Sequence, residues 1–371
     1  MRKGFIYLLV AVMALLAVSC DPVEGTAPEF PVKEKTVLIY MVGNNNLSSD
    51  AVRNLSDLKK GFVPSDDNLL VYYHTPSQSP VLLQLKTDGT GAVVQDTVYR
   101  FPARNSAAPE SLKSAMLVTQ TMFPANEYGL FLWSHGTGWL PQGHYSKSFG
   151  EEKGVEMDIV DMVKAFPYKL SFVVFDACLM GGIEVIYQMK DSVDYVISSP
   201  AEIMSMGFPY SMIMKHIYSS PADYIAVAEE YYNFYNSLEG QARSATISVV
   251  KTSELENLAA QTKNVFDKYR NNIPLLNYKS VQGYHRFNKY WFYDFGDFIK
   301  KIAGEDAAPV IAALEKAVIY KATTPWFLDI AIDPLRYSGL STYIPLSPSD
   351  PVLDAYYAKF DWNRDTGMVL E

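Results

Sequence analysis

Cysteine is the scarcest chemistry in this chain, with two residues, Cys20 and Cys178, among 371. At most one disulfide can form, so a small disulfide-stapled scaffold is excluded, and a 49% hydrophobic content supplies a sizeable core without staples. Positive charge is also in deficit. Lys and Arg number 32 against 41 Asp and Glu, a formal net charge of −9, which argues against nucleic acid as a partner because that binding rests on cations neutralising phosphates. The five histidines stand at no metal-ligand spacing, and there is no H-E-x-x-H and no paired C-x-x-C. "HGTGW" (135–139) lacks the Lys and the spacing of a phosphate-binding loop. Asn44, Asn45 and Asn46 with Asp50 lack the acidic spacing of an EF-hand, so the local sequence gives no basis for calcium and no cofactor is expected. No internal repeat or low-complexity tract is present, and past residue 18 no apolar run approaches the ~18 residues that cross a bilayer.

What is present begins with a leader. Arg2 and Lys3, an apolar run over 5–18 and "LLAVSC" (15–20) have the parts of a signal peptide, residues 1–19. Ser19 before Cys20 is similar to a bacterial lipoprotein signal, in which Cys20 becomes the lipidated first residue. Ala17 departs from the Leu of the strict form of that signal, which leaves cleavage without lipid, or an uncleaved anchor, as alternatives. The expectation is an exported protein, held at the outer membrane of a Gram-negative bacterium only by an N-terminal lipid. Asp21 and Glu24 hint at its surface face. Residues 20–35, with three prolines and alternating charges, read as a tether. A lipidated Cys20 leaves Cys178 with no second cysteine, in a compartment where thiols usually form disulfides, and such a residue points to reactivity.

From residue 36 apolar runs alternate with helical patterns. "TVLIYMV" (36–42), "NLLVYYH" (68–74), "YGLFLW" (128–133) and "LSFVVF" (170–175) read as strands, and "DAVRNLSDLKKGF" (50–62), "PESLKSAMLVTQTMF" (109–123) and "GIEVIYQMK" (182–190) as helices. Asp88-Gly89 sits in a hairpin signal. The fold class is α/β, a mostly parallel sheet with helices on both faces. Residues 36–215 read as the core, and 216–371 as a helix-rich part of the same unit.

In open α/β sheets, chemistry collects beyond the carboxyl ends of the strands. His135 follows "YGLFLWS" and Cys178 follows "LSFVVFDA", separated by the length of one βαβ crossover. If the two strands are neighbours, ~4.8 Å apart, both side chains face one crevice. A nearby His and a helix starting near Gly181-Gly182 both favour the thiolate. Gly136 admits close backbone approach, so its N–H and that of Cys178 are candidate oxyanion donors. The bland alternative is Cys178 as a small buried hydrophobe.

"LFLWSHGTGW" (130–139) and "FDACLMGGIEVIYQMKDSVDYVISS" (175–199) resemble the clostripain-like cysteine peptidases, which belong with caspases, legumains and gingipains. "IYMVGNNNL" (39–47), "GFPY" (207–210), "YDFGDF" (293–298) and "SGLSTYIP" (338–345) extend the resemblance over residues 36 to about 367, nearly all of the mature chain. It implies a caspase-like α/β/α sandwich, His135 as general base, Cys178 as nucleophile, and no third catalytic member. It also implies a monomeric endopeptidase that cleaves protein or peptide substrates after Arg or Lys, with Asp176 in the specificity pocket, where a carboxylate would pair with a basic side chain. The alternative for Asp176 is a cap of the following turn. A further pocket acid is expected downstream, and Glu202 is the one available in "SSPAEIMSMGFPY" (198–210). Asn44 stands where the family usually has Asp. Family members are often made as zymogens cut between the His and Cys strands. Here the polar segment 142–154 offers Lys147, with Lys153 second. The competing reading is a non-catalytic surface lipoprotein binding peptides or glycans, which the 26 tyrosines and five tryptophans invite, although buried aromatics are the commoner explanation.

Overall fold

A computed structural model describes residues 30–141, 149–284, 291–345 and 350–370. The leader with Cys20, and Lys147, lie outside the described residues. Val32–Glu371 forms one compact unit. Its strands include β1 (Lys33–Val42), β2 (Asn68–Thr75), β3 (Gln78–Thr87), β4 (Val93–Arg100), β5 (Ala125–Trp133), the short hairpin β6 (Phe149–Glu152) and β7 (Val155–Met157), β8 (Leu170–Asp176), β9 (Val193–Ser198), β10 (Thr246–Lys251), β11 (Tyr293–Asp294) and β12 (Val318–Thr323). Among the described residues nine of these form one sheet, in the order β12-β10-β9-β8-β5-β1-β2-β3-β4. β9, β8, β5, β1 and β2 run parallel, while β3, β4, β10 and β12 add antiparallel edges. This is a mixed sheet, parallel at its centre, as the alternation of patterns predicts.

The central strands read as continuous apolar runs because helices cover both their faces. Their period of two divides the side chains between two cores. Leu38, Tyr40, Leu130, Leu132, Val173 and Phe175 face one, and Val37, Ile39, Phe131, Trp133, Phe172 and Val174 face the other. The second core is closed by α1 (Ser48–Lys60), α5 (Tyr210–Ile217) and α6 (Tyr224–Asn236), through Leu55, Ile213 and Tyr231. The first is closed by α2 (Pro109–Met122), α3 (Ile159–Lys164), α4 (Ile183–Tyr187) and the later helices α7 (Leu255–Tyr269), α8 (Phe295–Ala303) and α9 (Ala308–Ala317).

Local patterns misplace some boundaries. β1 starts at Lys33, inside the segment read as tether, because Lys33 and Lys35 pair with Ala125 and Glu127 and extend the ladder with β5. The segment read as a polar loop ends in a hairpin whose Phe149 and Glu152 are buried. In "SGLSTYIP" only Ser341–Thr342 is strand, paired with β11.

The chain leaves β1 toward β2 on one side, then returns to place β5 on the other. The order therefore reverses between β1 and β5, which puts the crevice of the fold at their carboxyl ends.

Candidate active site

Three strand ends line up at that crevice. Met41 of β1 pairs with Trp133 of β5, and Trp133 pairs with Asp176 of β8. His135 and Cys178 each follow their paired residue by two positions, so they leave the same edge of adjacent parallel strands. Ser134 fastens the edge. Its Oγ donates to the Val42 carbonyl at 2.8 Å and its N–H to the Asp176 carbonyl at 3.3 Å.

Glycine at 136 is required by close approach. A Cβ there would lie 2.7 Å from the Cys178 carbonyl oxygen and 3.0 Å from the Ala177 Cβ. Gly138 has φ +65°, and a Cβ on it would come within 2.6 Å of the Leu179 carbonyl. The 135–139 loop thus rests directly on the backbone that carries Cys178. Leu179, with φ +63°, holds a left-handed conformation that costs a non-glycine residue of order 1–3 kcal/mol. The turn is kept by its N–H to the Ala201 carbonyl, by Gly181 N–H to the Ser199 carbonyl, and by Ser341 N–H to the Gly181 carbonyl, each 2.8 to 2.9 Å.

Cys178 is half-buried and forms no disulfide. Its Sγ lies against the backbone of Ile203, accepting from the N–H at 3.2 Å and donating to the carbonyl at 3.6 Å. His135 is half-buried, and its Nε2 lies 2.6 Å from Asn46 Oδ1. The helix expected beyond the double glycine is present, with Gly182 at its N-cap, but α4 has only 5 residues, so its dipole adds little to thiolate stabilisation.

Asp176 is 4% exposed. Its Oδ2 accepts from the Phe208 N–H at 3.1 Å and from the Tyr210 hydroxyl at 2.9 Å. Burial pushes its pKa up to about 6, against those two hydrogen bonds, which favour the carboxylate. Glu202 is half-buried next to Ile203, and its carbonyl accepts from Ser199 Oγ at 3.3 Å. The strip from Ile203 to Ser211 is stitched to α1: Arg53 donates to the Ser205 carbonyl at 2.7 Å, Asn54 to the Met206 carbonyl at 2.8 Å, and Ser211 N–H to Asp57 at 3.0 Å. Lys153 is exposed at the turn of the β6–β7 hairpin, with φ +55°.

Ile203, Phe208, Tyr210 and Asn46 do not emerge from sequence as site residues. "GFPY" and "GNNNL" carry part of the family resemblance, but nothing in them indicates contact of Phe208 and Tyr210 with Asp176 or of Asn46 with His135. Among the described residues no group of three or more His, Cys, Asp or Glu side chains could hold a metal ion, and no helix is long and apolar enough to cross a membrane.

The fold as a whole has counterparts among solved structures. The profile of the clostripain family matches residues 39–365. An inactive zymogen C11 protease from Parabacteroides distasonis superposes with a TM-score of 0.81 at 35% identity, covering 91% of this chain and 99% of its own. A secreted C11 cysteine protease from Bacteroides thetaiotaomicron, iotapain, gives 0.81 at 25% identity over 91% and 99%. A secreted C11 cysteine protease from the same organism, in complex with an irreversible peptide inhibitor, gives 0.77 at 29% over 90% and 99%. No curated protein matches significantly. With a caspase-like sheet, matching neighbours over nine-tenths of its length and a family profile over most of it, this chain belongs to the clostripain family and is a cysteine peptidase.

Proposed function

We propose that the protein is an exported endopeptidase in which Cys178 and His135 form the catalytic dyad. The observation that carries this reading is the register of β5 on β8, which sends both residues from the same sheet edge. The Cys178 thiolate attacks the scissile carbonyl carbon while His135 holds the thiol proton. The oxyanion is stabilised by backbone N–H groups, for which Gly136 and Cys178 are the candidates. His135 then protonates the leaving amine, and water hydrolyses the thioester, returning the thiol. No step of this chemistry uses a cofactor.

Preference for Arg or Lys rests on Asp176, a buried acid two residues before the nucleophile, with Glu202 immediately before Ile203, whose backbone touches Sγ. A basic side chain reaching Asp176 would stabilise the carboxylate that burial disfavours. The same geometry favours a second role: Asp176 already ties the 207–210 segment to the strand end through Phe208 and Tyr210. Export is supported by the leader and by neighbours described as secreted. Lipid at Cys20 is tested by fatty-acid labelling, which Cys20→Ala should abolish.

Self-activation between the His and Cys strands is proposed at Lys147. Lys153 suits it less, because a protease needs extended chain and Lys153 turns a paired hairpin. Wild type should run as two fragments on a denaturing gel and Cys178→Ala as one, with Lys147→Gln also uncut. The deciding experiment is hydrolysis of paired fluorogenic peptides ending in Arg, Lys, Asp or Leu by residues 21–371. Cleavage confined to Arg and Lys and lost in Cys178→Ala and His135→Ala supports the reading. Equal turnover of all four by an active enzyme removes the acidic pocket, and activity in Cys178→Ala removes the dyad.

A further inference from the structure

We propose that Asn46 is a positioning residue for His135, an inference that rests on the dyad reading. The carboxyl ends of β1, β5 and β8 present Asn46, His135 and Cys178 side by side across the switch point of the sheet. The 2.6 Å contact joins Asn46 Oδ1 to His135 Nε2. An amide oxygen there accepts from Nε2–H, which fixes the ring's tilt and leaves Nδ1 as the nitrogen that takes and returns the thiol proton. It also favours the imidazolium formed when the proton arrives.

Asn46 itself is exposed, yet its loop is built to hold still. Asn45 Nδ2 donates to the Glu151 carbonyl at 2.8 Å, and Asn45 Oδ1 accepts from Leu47 N–H at 2.9 Å. Asn44 Nδ2 donates to Glu152 Oε1 at 2.9 Å. Glu152 is 4% exposed, and its Oε2 accepts from Ser106 N–H at 2.7 Å. The same hairpin binds the histidine directly, through Gly150 N–H to the His135 carbonyl at 2.9 Å. The asparagine loop and His135 therefore share one anchor, and it begins two residues after Lys147, the residue proposed for cleavage. Among the described residues, the titratable groups on the segments joined to the dyad are Glu151, Glu152 and Lys153 of the hairpin, Asp176 and Cys178 of the β8 end, Glu202 beyond them, and Asp50 and Arg53 of α1, which the asparagine loop enters. None of these is altered in the test below.

The test is the pH dependence of kcat and kcat/KM for wild type, Asn46→Leu, Asn46→Asp and His135→Ala, on the best peptide substrate of the wild type. Asn46→Leu should lower kcat roughly 10²-fold with little change in KM, the scale of a misaligned catalytic group. Its alkaline limb should move to lower pH, because the imidazolium has lost an acceptor. Asn46→Asp should recover most of the activity and move both limbs to higher pH, since a carboxylate at Nε2 makes each proton of the dyad harder to remove. If Asn46→Leu keeps the wild-type kcat and profile while His135→Ala is inactive, Asn46 has no positioning role and the dyad stands. If His135→Ala is as active as wild type, the dyad reading itself fails. Should Asn46→Leu not fold, the Asp variant decides alone, and an unshifted profile overturns the proposal.

Discussion

Replacing Asp176 by asparagine separates what this acid costs the fold from what it does for the substrate. The carboxyl is almost wholly buried, and its pKa is pushed from 3.8 up to about 6. Because the folded value lies above the unfolded one, the neutral acid stabilises the fold. That contribution is complete below pH 3.8, fades as pH rises toward about 6, and is gone above it. At about 1.4 kcal/mol per pH unit the gap amounts to roughly 3 kcal/mol at pH 8. Asparagine keeps an oxygen for the Phe208 N–H and the Tyr210 hydroxyl but carries no charge. In urea unfolding Asp176→Asn should gain up to about 3 kcal/mol over wild type at pH 8 and no more than about 0.5 kcal/mol at pH 4. Glu184 and Asp294, raised by burial to about 7 and about 6, titrate in the same sense in both proteins and drop out of the difference. On Arg and Lys peptides the same variant should lose turnover, so the substitution that strengthens the fold weakens the enzyme. An identical stability difference at pH 4 and pH 8 would refute the idea that burial sets this group's charge. Unchanged selectivity would show that Asp176 serves only to tie Phe208 and Tyr210 to the strand end.

Three further outcomes follow from the same contacts. Tyr210→Phe removes one of the two hydrogen bonds to Asp176 Oδ2, so it should cost about 1.5–3 kcal/mol at pH 8, where the acceptor is ionised, and less at pH 4; equal costs would argue against an ionised acceptor. Gly136→Ala places a methyl 2.7 Å from the Cys178 carbonyl, so the two catalytic loops must separate; kcat/KM should fall about 10²-fold with a stability loss of about 1–3 kcal/mol, and full activity would mean the loops yield without consequence. Glu152→Ala leaves the buried Ser106 N–H without its acceptor and should destabilise by roughly 1–3 kcal/mol. Burial, the largest influence, keeps the His74 pKa below its ordinary value despite Glu152 at 3.3 Å, so at pH 7 this loss should change little between 50 mM and 500 mM salt; strong salt dependence would indicate a charged pair instead.

Sequence reading succeeded where a residue's neighbours along the chain decide its state. The apolar runs at 128–133 and 170–175 became buried parallel strands because strands covered on both faces carry no polar side to betray them. It failed where the partner is distant. Residues 142–154 read as an exposed polar loop because the segment is polar and bears glycine, yet it contains β6. Glu152 is buried because Asn44, Ser106 and His74, from three other elements, converge on it. The late strand shrank to two residues because β11, its partner there, is itself only two residues long.

By itself the sequence determined the alternating α/β order and the exit of one histidine and one cysteine from the ends of two apolar strands. It also carried motifs specific enough to identify the peptidase family. Those properties depend on period and on short motifs, which are local. The tertiary structure alone decided that Asn46 meets His135 across 89 residues of chain, that Ile203 lies against Sγ, and that Asp176 is enclosed by Phe208 and Tyr210. Each of these contacts is set by strand register and by how the strand ends are capped, and a charge's free energy depends on that enclosure rather than on its neighbours in sequence.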